Sequence, residues 1–149
     1  MSTEIKYTKC RGIPYHKLNP IWKYKVDGFG SFPAPKGRHF IMPDGFQTVC
    51  IANEEKTILA QVFPDKVDCF PNYAYNGPNG VPDIPVFMES SIPHDILNQL
   101  MKEGRLPLAN APIADLQFRE GVRENGGGWP FSRLSWRAIR IYQKLSKGV

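Results

Sequence analysis

Ser90-Ser91-Ile92-Pro93-His94-Asp95-Ile96-Leu97-Asn98-Gln99-Leu100-Met101 marks the point where this chain changes rhythm. Ile92, Leu97, Leu100 and Met101 recur at helical spacing, giving the segment one apolar side. Ser90 or Ser91 is an N-cap by residue type, and Pro93 suits a first turn, whose amides lack intrahelical partners. Gly104 supplies a C-terminal stop. From about residue 86 onward the reading is helical.

Upstream the period is two. In Pro20–Val26, Trp22, Tyr24 and Val26 alternate with Lys23 and Lys25, one face in and one face out. Arg38–Met42, Gln47–Ile51 and Thr57–Phe63 are short runs with β-branched and aromatic residues. Asp27-Gly28-Phe29-Gly30, Pro43-Asp44-Gly45-Phe46 and Pro64-Asp65 punctuate them with turn chemistry, so residues 1–75 read as strands and hairpins. Downstream, a second helix starts near Asn110 or Pro112, with Ile113, Leu116, Phe118 and Val122 on its apolar side. Gly126-Gly127-Gly128 breaks it, and a third helix runs from about Ser132 to Lys147. The expected fold is α+β, one domain over 1–149, with a β-rich N-terminal half (1–75) packed against a three-helix unit (86–147).

Composition agrees with a single globular unit. A chain of 149 residues with 42% hydrophobic and 12% aromatic content has enough apolar material for a core. Three cysteines, Cys10, Cys50 and Cys69, are widely spaced and odd in number, which argues against a disulfide framework or a zinc site and for reduced thiols. The N-terminal residues lack the apolar run of a signal peptide and no stretch reaches membrane-span length, so a soluble chain is expected. A net charge of +5 favours anionic partners without choosing among them.

Chemistry concentrates in the back half. His94 is a candidate general base, because an unperturbed imidazole titrates near neutral pH. Asp95 beside it is a candidate ligand for a hard cation. Tyr75-Asn76-Gly77-Pro78-Asn79-Gly80 is a turn whose glycines can aim carbonyl oxygens inward, as calcium requires. Asp115 on the next helix is positioned in sequence to fix the tautomer of His94, if the two helices are suitably offset. On the last helix Arg133, Arg137, Arg140, Lys144 and Lys147 recur at helical steps, beside an adjoining apolar set of Leu134, Ala138, Ile141 and Leu145. Such a basic amphipathic helix suits an anionic lipid surface or another phosphate-rich partner.

These residues resemble phospholipase A2, in particular the form carried in parvovirus minor capsid proteins. That family combines a Tyr-x-Gly-Pro-Gly calcium loop, a His-Asp helix, an Ala-Asp-x-x-Phe helix, a Gly-Gly break and a basic tail. The matching positions here are Tyr75, Gly77 and Pro78, then His94 and Asp95, then Ala114, Asp115 and Phe118, then Gly126-Gly127. The resemblance spans about 73–145. It implies Ca²⁺-assisted ester hydrolysis in which His94 takes a proton from water and Asp115 orients His94. Tyr75, Gly77, Gly80 and Asp95 would form the metal site. Where the family places Tyr four residues after its His, this chain has Asn98, and Asn79-Gly80 replaces the paired glycines that end the loop.

The whole chain is also similar to small uncharacterised proteins of tailed bacteriophages. Gly45-Phe46, the loop, His94-Asp95-Ile96-Leu97 and Ala114–Phe118 carry that likeness. It implies a phage protein residing in the virion or the host cytoplasm, without assigning an activity. Two functional expectations therefore stand side by side. One is a lipid-ester hydrolase; the other is a non-enzymatic virion or assembly component that binds other virion proteins through its basic helix. Nucleic-acid binding is the weakest reading, since no aromatic-basic interleaving supports it.

Overall fold

In the computed structural model, the described residues are 6–9, 24–26, 28–52, 55–75 and 85–147. Among the described residues, seven strands precede three α-helices: β1 (Lys6–Lys9), β2 (Tyr24–Lys25), β3 (Gly30–Pro33), β4 (Val49–Ala52), β5 (Ile58–Phe63), β6 (Lys66–Cys69), β7 (Ala74–Tyr75), α1 (Pro85–Lys102), α2 (Ala111–Val122) and α3 (Gly128–Lys147). The architecture is α+β, as expected from the change of period.

The main sheet has the order β1-β4-β5-β6-β3. Strands β4, β5, β6 and β3 form antiparallel pairs, and β1 adds parallel to β4. The β5–β6 hairpin turns at Pro64-Asp65, where the sequence places its turn residues. A separate antiparallel ribbon pairs β2 with β7. Two features depart from the sequence reading. Arg38–Met42 is not a strand; its Phe40 is buried and its amide donates to the Pro64 carbonyl at 2.7 Å. Strands β3 and β6 are only four residues each and hold too little apolar periodicity to be seen without their partners.

Helix α1 begins at Pro85, not at Ser90 or Ser91. Packing decides this: Phe87, buried upstream of the serines, stacks on Phe118 of α2 with ring centroids 5.9 Å apart. Ser90 and Ser91 are therefore buried inside the helix, and Pro93 lies in its interior, where it donates no backbone hydrogen bond. Gly104 is the stop, with φ +73°, and the amides of Gly104, Arg105 and Leu106 fold back onto the carbonyls of Met101 and Leu100. The Gly126–Gly128 stretch does not leave a coil. A π-helical turn, Arg123–Gly127, links α2 to α3, and Gly126 at φ +89° takes the backbone conformation that β-carbons resist.

The main core lies between sheet and helices. Val49, Ile51, Leu59, Val62, Val67 and Tyr73 meet Ile96, Leu97 and Leu100, all essentially inaccessible. Polar ties fix the layers. Asn110, fully buried, accepts from the Ile41 amide at 2.7 Å and donates to the Ile41 and Pro107 carbonyls at 2.9 and 3.1 Å. Gln117 donates to the carbonyls of Phe32 and Pro33 at 3.2 and 2.8 Å, clamping the end of β3 on α2. None of the helices formed by described residues is long and apolar enough to cross a membrane.

Candidate functional site

A polar cluster sits where α1, α2 and α3 meet. Helices α1 and α2 approach closely because Gly121 has no side chain: a Cβ there would lie 2.7 Å from the Ser90 hydroxyl oxygen. That approach supplies the offset the sequence left open. His94 Nε2 lies 2.6 Å from Asp115 Oδ1, with the histidine 3% exposed and the aspartate fully buried. Phe118, one turn beyond Asp115, sits beside the imidazole with centroids 5.6 Å apart.

Three further side chains complete the cluster. Arg140 Nη1 donates to Asp115 Oδ2 at 2.7 Å. Gln143 Nε2 donates to Asn98 Oδ1 at 3.1 Å and, at 3.4 Å, to Asp115 Oδ1. Asn98 Nδ2 lies 3.1 Å from His94 Nδ1. Gln143 Oε1 is buried and takes no hydrogen bond from the described residues.

These contacts fix the tautomer of His94. Burial alone would raise the Asp115 carboxyl, but hydrogen bonding and charge from His94, then hydrogen bonds from Arg140 and Gln143, outweigh it and hold the group below the usual carboxylate range. An ionised Asp115 can only accept, so Nε2 carries the imidazole proton. The amide nitrogen of Asn98 can only donate, so Nδ1 presents its lone pair. In its neutral form the histidine is held as the Nε2–H tautomer, with the basic nitrogen on the side of Asn98.

Of the residues expected at the site, His94 and Asp115 are thus brought together. Asp95, on the next position of α1, is half-buried and engaged in contacts of its own. Tyr75 is buried in β7, paired in register with Tyr24. Gly77 and Gly80 lie outside the described residues. Among the described residues no three histidine, cysteine or acidic groups gather in a way that could hold a metal ion. Asp95 is the single described carboxylate offered to the expected calcium site, which would otherwise rest on backbone oxygens.

Arg140 differs from its sequence reading. It belongs to the expected solvent-facing basic stripe, yet its side chain is 18% exposed and reaches inward to Asp115. Gln143 is missed as a member of the site, and Asn98 is read only as a departure from the family's Tyr. The available signal is the stripe Ser132, Ser135, Ile139, Gln143, which recurs at helical spacing and is buried among the described side chains of α3. It is more polar than the outward Leu134, Ile141 and Leu145, so hydropathy alone picks the wrong side. The two described thiols take no part, and Cys10 lies outside the described residues. Cys50 and Cys69 are free and buried, and burial pushes them up to about 11 and about 12 respectively, far from the reactive thiolate range.

Comparison with family models, with characterised proteins and with solved structures finds no match to this chain.

Proposed function

We propose that the protein is a carboxylic-ester hydrolase, with His94 as general base, Asp115 as its orienting partner and a phospholipid or related ester as substrate. The contact that carries this reading is His94 Nε2 to Asp115 Oδ1 at 2.6 Å, which leaves the Nδ1 lone pair as the proton acceptor. A water taking the place of the Asn98 amide gives its proton to Nδ1 while its oxygen bonds to the ester carbonyl carbon. When the tetrahedral species collapses, the ester C–O bond breaks and the imidazolium returns the proton to the departing oxygen. Asp115 offsets the imidazolium charge, and Arg140 on its second oxygen keeps the carboxylate from turning.

Calcium belongs to the proposal. Asp95 and backbone oxygens of the 75–80 loop would hold it, and when bound it supplies an electrophile for the carbonyl oxygen. No step above depends on it. The test is fatty-acid release from phospholipid vesicles by the wild-type protein, with and without chelator, and by His94→Gln. The expected result is Ca²⁺-dependent release that falls by roughly 10²–10⁴-fold in the variant, the usual contribution of a general base. Release that survives His94→Gln, or none from phospholipids and simple esters alike, contradicts the reading.

A second reading is favoured by a specific observation: both ring nitrogens of His94 already have protein partners, and Arg140 neutralises Asp115. Here the cluster only ties three helices together in a non-enzymatic virion or assembly component. His94→Gln then lowers stability with no activity to lose, and the protein co-purifies with a capsid or tail protein.

A further inference from the structure

Among the described side chains of helix α3, Ser132, Ser135, Ile139 and Gln143 are buried, whereas Leu134, Ile141 and Leu145 face outward with 66%, 58% and 84% exposure. At about 100° per residue, these three leucine and isoleucine positions fall within one narrow sector. Arg133, Arg137 and Lys144, all exposed, fall in the sector next to it. Tyr142, 40% exposed, borders the apolar sector on its other side. The helix contains 20 residues and no Asp or Glu. An ordinary solvated face interleaves both signs and scatters its apolar residues.

We infer that this outer face of α3 is a docking surface for an anionic lipid bilayer. Leu134, Ile141 and Leu145 enter the acyl boundary, and Arg137 and Lys144 meet the phosphates beside it. A leucine as exposed as Leu145 stands on a ridge. A fluid apolar layer closes around a ridge, and a tyrosine at its margin suits the wet boundary of such a layer. Positive charge on a helix that carries no acid selects an anionic surface over a neutral one. This inference deepens the hydrolase reading by naming the surface from which its substrate would come. Binding is read without turnover, so a protein that binds and does not hydrolyse sinks the catalytic reading alone.

The experiment is flotation of the full chain with vesicles of phosphatidylglycerol and phosphatidylcholine, against vesicles of phosphatidylcholine only. Two variants accompany it, Leu134→Ser/Ile141→Ser/Leu145→Ser and Arg137→Glu/Lys144→Glu, each checked for an unchanged circular-dichroism melt. The wild type should float with the anionic vesicles. The apolar variant should bind at least about tenfold more weakly, since even partial burial of three such side chains exceeds one decade in affinity. The charge variant should bind anionic vesicles no better than neutral ones. Failure of the wild type to float, equal binding to both vesicle types, or undiminished binding by the apolar variant overturns the inference. So does a lipid-free dimer in sedimentation velocity that the apolar variant abolishes, which makes a second copy the occupant.

Discussion

The protein has two interiors of opposite character. Between sheet and helices, Val49, Ile51, Val62, Ile96, Leu97 and Leu100 make an apolar core that burial alone stabilises. Between the three helices, the buried contact also contains His94, Asp115, Asn98, Gln143 and part of Arg140. Apolar side chains of similar volume often hold such a junction as well or better, because taking charges out of water costs more than their pairing returns. The polar junction is therefore poorly explained by stability, whereas the apolar one needs no other explanation. This contrast is the reason to look for chemistry at one and not the other.

The largest expected effect breaks the polar interior. Asp115→Ala removes the carboxylate to which Arg140 and His94 donate and should cost about 3–5 kcal/mol, read from urea midpoints. Its mild counterpart, Asp115→Asn, should flatten the acid limb of stability. The sign follows from the depressed Asp115 carboxyl: its contribution is complete above the unfolded value of about 3.9 and disappears as pH falls through the lower folded value. A wild-type acid limb unchanged by Asp115→Asn would mean that this group does not govern it.

In the apolar interior, Leu100→Ala should cost about 2–5 kcal/mol through lost burial and a residual cavity, with no change in any esterase or vesicle-binding activity. At the seam between α1 and α2, Gly121→Ala should cost about 1–3 kcal/mol by crowding Ser90, and less in a Ser90→Ala background. A Gly121→Ala protein that melts like wild type would show the helices free to separate, and with them His94 and Asp115. Smallest of all is the outside of α3: Leu145→Ser should change stability by no more than about 0.5 kcal/mol, since the side chain has little burial to lose.

The two interiors are also unequally legible in the sequence. Period-two and helical patterns carry the α+β class, the β5–β6 turn and the Gly104 stop, because those features depend on local backbone chemistry and one-sided burial. The pairing of His94 with Asp115 can be named from sequence but not placed, since it depends on the closeness that Gly121 permits. Residue types alone put the start of α1 at Ser90, because the Phe87–Phe118 stack, a tertiary contact, leaves no local trace. Periodicity sends Arg140 to solvent, because five cations at helical spacing look alike until a buried carboxylate singles one out. Hydropathy also misjudges α3, whose inner face carries serine and glutamine.

The claim beneath the proposed chemistry is that neutral His94 carries its proton on Nε2, with its basic lone pair on Nδ1. Heteronuclear NMR of the imidazole ring nitrogens at neutral pH tests this most directly, with assignment through His94→Gln. The expected spectrum shows a pyrrole-type Nε2 coupled to its proton and a pyridine-type Nδ1. A proton on Nδ1 instead, with Nε2 bare against Asp115, would contradict the account.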